Sequence, residues 1–146
     1  MKTLRRMLLR MRFRRALLKG DRISIKDAAR LWRLSDMVFI GPVGASATVH
    51  PECELYRHLA EDNEISDDEI SQYLRDSSGT VAAYALELLI RRRSGQAKDA
   101  RDALSERTES VSLGLGCMFS YQPLCEFAVN RLNAEQVSGG NGGQAR

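Results

Sequence analysis

Three cysteines and two histidines are the side chains in this 146-residue chain best suited to metal or nucleophile chemistry, and their spacing limits what they can do. His50, Cys53 and His58 lie close together in sequence, and Cys117 and Cys125 could converge on them from the C-terminal half. Zinc takes four ligands in tetrahedral array, usually delivered as tight pairs such as C-x2-C. His50 and Cys53 have that spacing, but no second pair matches it. The thiols therefore read as core side chains and the histidines as surface residues. A Cys–His nucleophile pair would need Cys117 or Cys125 to fold back onto His50 or His58, and no nucleophile-elbow or phosphate-cradling glycine sequence accompanies them.

Carboxylates offer a second route to chemistry. Glu61, Asp62, Glu64, Asp67, Asp68 and Glu69 crowd a loop and a helix start, where negative charge complements the helix dipole. A general acid needs burial to raise its pKa, and a segment this polar reads as exposed. An acidic docking edge is the alternative use of the same cluster. The expectation is a non-enzyme: no catalytic residues, no metal and no cofactor.

The charge is unevenly spread. Residues 1–33 carry twelve Lys/Arg against Asp21 and Asp27, a net +10, whereas the other 113 residues carry ten basic and seventeen acidic side chains, a net −7. Such asymmetry predicts a basic arm on a mildly acidic body. Arg5, Arg6, Arg10, Arg12, Arg14 and Arg15 are the candidate polyanion contacts, toward either a nucleic-acid backbone or an anionic membrane surface. The alternative is that the arm caps the body and its arginines are simply solvated. Met37 offers a second start downstream, which would make the arm partly a gene-model extension. No apolar run reaches the roughly 20 residues that span a bilayer. Met7 to Met11 is too short and too basic for a secretory signal, so reduced thiols in a bacterial cytoplasm are expected.

Elements that would position these residues are read from periodicity and punctuation. Leu4, Met7, Leu8, Met11 and Leu18 recur near helical spacing over residues 1–18, with Gly20 and Asp21 closing that helix. Ser24 and Asp27 are spaced as a capping box for a second helix carrying Ala28, Leu31 and Trp32. The stretch Ile23 to Asp36 looks like half of a helix-turn-helix, but Gly41 and Pro42 stop the second helix too early to fill a major groove. Val38, Phe39 and Ile40 form a short apolar run at the boundary. Pro51 opens a helix with Leu55, Tyr56 and Leu59. Ser66 and Glu69 form a second capping box, with Ile65 and Ile70 as a hydrophobic staple. The next helix runs from about Thr80 to Arg93 and stops at Gly95. Short helices are predicted over 97–106, 109–116 and 123–132, and a disordered Gly-rich tail over 135–146.

At an offset of 30, Ile70, Leu74, Val81 and Ala85 fall opposite Ala100, Leu104, Val111 and Leu115. The segments Ile70–Asp76, Ser77–Val81 and Ala82–Leu89 carry a short apolar helix, an Asp-containing turn, a Val that opens a second helix, and small residues for close packing. On these residues the chain resembles the HEAT-repeat superfamily, well over 66–94 and more loosely over 97–133. The resemblance implies an all-α fold, a small right-handed solenoid of stacked hairpins, and a binding scaffold with no catalytic residue to carry over. The expected organisation is a basic helical arm over 1–36, a linker over 37–50, a repeat domain over 51–134 and the tail. The expected function is protein–protein recognition, with Asp76, Arg91, Arg92, Arg93 and Arg101 as candidate partner contacts. The alternatives are a nucleic-acid-associated protein acting through the arm and a toxin-neutralising immunity protein.

Overall fold

Helices begin where short polar side chains can cap them. The hydroxyls of Ser24, Ser66 and Ser78 accept the backbone N–H of Asp27, Glu69 and Val81, at 3.1, 3.1 and 3.4 Å. The computed structural model describes residues 1–44 and 47–139. Among them the chain forms α1 (Lys2–Lys19), α2 (Ile25–Leu34), β1 (Val38–Val43), α3 (Pro51–Glu61) and α4 (Asp67–Gln72), which runs into a 3₁₀ turn, Tyr73–Arg75. There follow α5 (Gly79–Arg91), α6 (Ala97–Leu104), β2 (Ser110–Gly116), β3 (Met118–Pro123) and α7 (Leu124–Gly139). Gly20 closes α1 in the left-handed conformation. At the end of α5 it is Arg93, not Gly95, that turns left-handed, and the Ser94 N–H reaches back to the Leu89 carbonyl at 2.9 Å.

The sheet overturns the all-α expectation. Among the described residues the chain is mixed α/β, seven α-helices with a three-stranded sheet, and not a solenoid of stacked hairpins. The error lies at residues 110–116, where Val111, Leu113 and Leu115 alternate with Ser112 and Gly114. A period of two is a strand period, and two glycines weaken any competing helix. β2 lies between β1, to which it runs parallel, and β3, to which it runs antiparallel. Leu115 pairs with Met118 across a tight turn in which Gly116 has φ +59°. The apolar run Val38–Ile40, inside the segment read as a linker, is the start of β1.

α5 occupies the centre of the core. Every residue from Val81 to Ile90 is buried, so this helix has no solvent face. It is enclosed by α2, α3, α4, α6, α7 and the sheet. A hairpin solenoid leaves each helix an outer face, which is why α5 cannot belong to one. Tyr84 is its hub. The phenol accepts the Phe39 N–H at 2.7 Å and donates to the Phe39 carbonyl at 3.3 Å, pinning β1, while its ring stacks on Trp32 at 4.4 Å. Such a stack contributes roughly 0.5–1.5 kcal/mol beyond the area it buries.

One continuous apolar cluster joins Phe13, Ile23, Ile25, Leu31 and Trp32 to α5, so residues 1–36 help to build the body's core. The Gly-rich tail expected over 135–146 finishes α7 up to Gly139, and from 140 onward it lies outside the described residues. Residues 45 and 46 of the expected linker also lie outside them.

Candidate functional site

The six arginines expected to meet polyanions divide by helical phase. Residues 6, 9, 10, 13, 16 and 17 share one face of α1, and Leu9, Phe13, Ala16 and Leu17 on it pack into the core. Arg6 and Arg10 belong to this inner face. Both donate to Glu52 Oε1, Arg6 Nε at 3.2 Å and Arg10 Nη2 at 2.8 Å, and the Ser35 hydroxyl donates to the same oxygen at 2.7 Å. Glu52 is fully buried, and its Oε2 has no partner among the described residues. Burial pushes the Glu52 carboxyl up, but the Ser35 and Arg10 hydrogen bonds outweigh it and hold the pKa below the ordinary carboxylate value. Arg5, Arg12, Arg14 and Arg15 face outward and make no ion pair among the described residues.

The candidate partner contacts are not gathered into one surface. Asp76 precedes α5, Arg91 is its last residue and Arg92 and Arg93 follow it, so Asp76 and the arginines stand about 20 Å apart along a helix rising 1.5 Å per residue. Asp76 is bound on both oxygens by Arg33, and it accepts the Ser78 N–H at 2.9 Å. Burial raises its carboxyl and the Arg33 hydrogen bond more than reverses that, leaving it below the usual range. Arg92 turns inward to bridge Asp67 at 3.0 Å and the carbonyls of Asp62 and Ile65 at 2.8 and 2.7 Å, which staples the α3–α4 connection to α5. Arg91 lies over the Tyr56 ring at 5.8 Å and shares a shallow cleft of about 220 Å³ with Arg93. Arg101 pairs with its neighbour Asp102.

The metal and nucleophile candidates are dispersed. Cys53 is buried beside Phe39, His50 stacks on the Phe39 ring at 4.0 Å, Cys117 is exposed in the β2–β3 turn, and Cys125 is half-buried at the start of α7. Among the described residues no three His, Cys, Asp or Glu side chains stand together so as to hold a metal. Burial and the nearby Arg10 lower the His50 pKa, while Glu52 opposes them. Glu87, inside α5, is bound by Arg131 of α7, with Nη2 to Oε2 at 3.1 Å. Burial outweighs this partner and raises the Glu87 pKa, while the hydrogen bond to Glu87 raises that of Arg131.

A feature not anticipated from sequence lies at the sheet's edge. β3 is an outer strand, and Met118, Phe119 and Tyr121 on it are 76, 54 and 74% exposed. Met118-Phe-Ser-Tyr-Gln122 carries no charge, and no strand proline precedes Pro123. Phe119 lies in register with Gly114, which lies in register with Phe39, so three strands form one cross-strand row. Gly114 leaves the space for that row: a Cβ there would come within 2.9 Å of Met37 Sδ and 3.3 Å of Phe39 Cδ1. Asn130 Nδ2 of α7 donates to the side-chain Oε1 of Gln122 at 2.8 Å, and next to it Cys125, Glu126 and Val129 line an open cleft of about 340 Å³. The alternation Val111, Leu113, Leu115, then Phe119 and Tyr121, is the signal that locates this hairpin.

Comparison with protein-family models, with curated proteins and with solved structures finds no match.

Proposed function

We propose that this chain is a non-catalytic protein-binding module that takes up an extended segment of a partner protein along the open edge of β3. The observation that carries the reading is the edge itself. Soluble proteins usually blunt an outer strand with lysine, proline, a bulge or a covering element, because its free N–H and C=O groups template further pairing. β3 keeps its edge and adds three large exposed apolar side chains, two of them aromatic. Strand addition uses such a surface: main-chain hydrogen bonds supply affinity, and alternate side chains supply specificity. Phe119 and Tyr121 share one face of the strand, so the partner segment needs apolar residues at every second position. Three free thiols support a reducing compartment such as the cytoplasm. No helix among the described residues is long and apolar enough to cross a membrane.

The test is selection from a peptide library against the full chain, with selected peptides titrated while backbone amide signals are followed. Strand addition predicts alternating apolar peptides, shifts concentrated in residues 118–123, and at least tenfold weaker binding to a Phe119→Lys, Tyr121→Lys variant. Peptides that bind equally well to that variant, or a protein that assembles with itself through β3 in preference to any peptide, would overturn the reading.

A further inference from the structure

α1 carries two apolar stripes on opposite sides. At 100° per residue, Leu9, Phe13, Ala16 and Leu17 centre on the face that packs against the body, and Leu4, Met7, Leu8, Met11 and Leu18 centre on the reverse face. The outer five are 58, 52, 52, 47 and 84% exposed, so this helix keeps a large apolar stripe in water although its inner face is already satisfied. Arg5 and Arg12 border the stripe on one side, Arg14 borders it on the other, and Arg15 lies within it. No acidic residue occurs between Met1 and Gly20. At the C-terminal end of the stripe, Arg12, Arg15, Lys19 and Arg22 surround a cleft of about 490 Å³ whose walls include Leu8, Met11 and Phe13, with Asp21 and Asp27 also at its rim.

We infer that the outer face of α1 docks on the surface of an anionic phospholipid bilayer. The apolar stripe enters the boundary between headgroups and acyl chains while the flanking arginines meet lipid phosphates. Two observations select this occupant. A second copy of the chain would bring one arginine-bordered stripe against another, with no carboxylate on either helix to pair them. A nucleic-acid backbone would satisfy the arginines but leave the leucines and methionines in water. An anionic bilayer complements both, which is the pattern of helices that lie in the interface plane. Arg6 and Arg10, held by Glu52, anchor the helix to the body and take no part in the contact. The inference stands apart from strand addition at β3, because the two surfaces share no residue.

The experiment is co-sedimentation of the full chain with vesicles of phosphatidylcholine alone and of phosphatidylcholine with phosphatidylserine at three to one. Binding is expected to the anionic vesicles, with little to the neutral ones, and to weaken as salt rises. An Arg12→Gln, Arg14→Gln, Arg15→Gln variant should bind about a hundredfold less well, at roughly fivefold per arginine. Leu8→Gln with Met11→Gln should lower binding at least tenfold. All five of these side chains are exposed on the outer face and lie outside the core, and matched thermal unfolding curves confirm that each variant is folded. Three outcomes overturn the inference: no sedimentation with anionic vesicles, undiminished binding by the Leu8, Met11 variant, or competition by free glycerophosphoserine as effective as by vesicles. Loss of binding only in the arginine variant, together with displacement by duplex DNA, would assign the face to a phosphate backbone instead.

Discussion

Glu52 is the residue on which the seating of α1 depends. Its carboxylate is out of water, whereas Arg6 and Arg10 keep 23 and 29% of their side chains exposed. Removing the cations therefore strands a buried charge, while removing the anion leaves arginines that can turn to solvent. Replacing Arg6 and Arg10 together with Met is expected to cost about 3–5 kcal/mol, and Glu52→Gln only about 1–2 kcal/mol. Urea unfolding of the three proteins measures the difference, and equal losses would contradict the asymmetry. The same carboxyl sets a pH dependence. Its pKa in the folded chain is depressed, so its stabilisation is present above the unfolded value near 4.5 and is lost as pH falls through the folded value. The Glu52→Gln protein should show a smaller loss of stability on acidification, although Asp76 and Glu109, also depressed, keep part of it. At this scale the sequence is least informative. Six arginines of one kind lie within eleven residues, and only the position of Glu52, more than forty residues away, separates two anchors from four outward charges.

At the scale of elements, the β1–β2–β3 sheet is where local pattern and expectation parted. The repeat at an offset of 30 predicts a helix over 109–116, whereas Val111, Leu113 and Leu115 alternate as a strand requires. Gly114, which weakens a helix, is required in the sheet because Met37 and Phe39 occupy the space a side chain would need. Gly114→Val should cost about 1–3 kcal/mol through overpacking, and it should perturb the Phe39 and His50 resonances more than those of α6. A variant as stable as the parent would show that the row across the three strands is looser than its geometry implies. The helices, by contrast, were legible because Ser24, Ser66 and Pro51 mark their starts and Gly20 one end.

For the whole molecule, protection should rank with distance from the surface. α5 is enclosed on every side, so its amides from Ala85 to Ile90 should exchange only when the entire domain unfolds. The N-terminal turn of α1 and the outward-pointing amides of β3 should exchange by local opening, many times faster. Hydrogen exchange read by mass spectrometry or NMR tests this ordering, and β3 amides as slow as those of α5 would mean that the edge is covered in solution. The same arrangement joins the two proposed contacts to one core: β1 hangs from Tyr84, β2 continues the sheet to β3, and α1 rests on α2 and α3 around Trp32.

By itself, the sequence determined where α1 to α5 begin, the basic character of residues 1–33 and the poverty of close metal or nucleophile pairs. These follow from spacing along the chain: caps act within three residues, amphipathic stripes repeat within a turn, and charge is additive. Only the tertiary structure decided that the apolar run Val38–Ile40 and the Val111 alternation meet as parallel strands, that α5 is a central helix and not one of a stack, and that β3 is left as an edge. Those outcomes rest on contacts between residues tens of positions apart. Whether an apolar stripe such as Leu4 to Leu18 is buried or open depends on which opposite stripe the body has already covered.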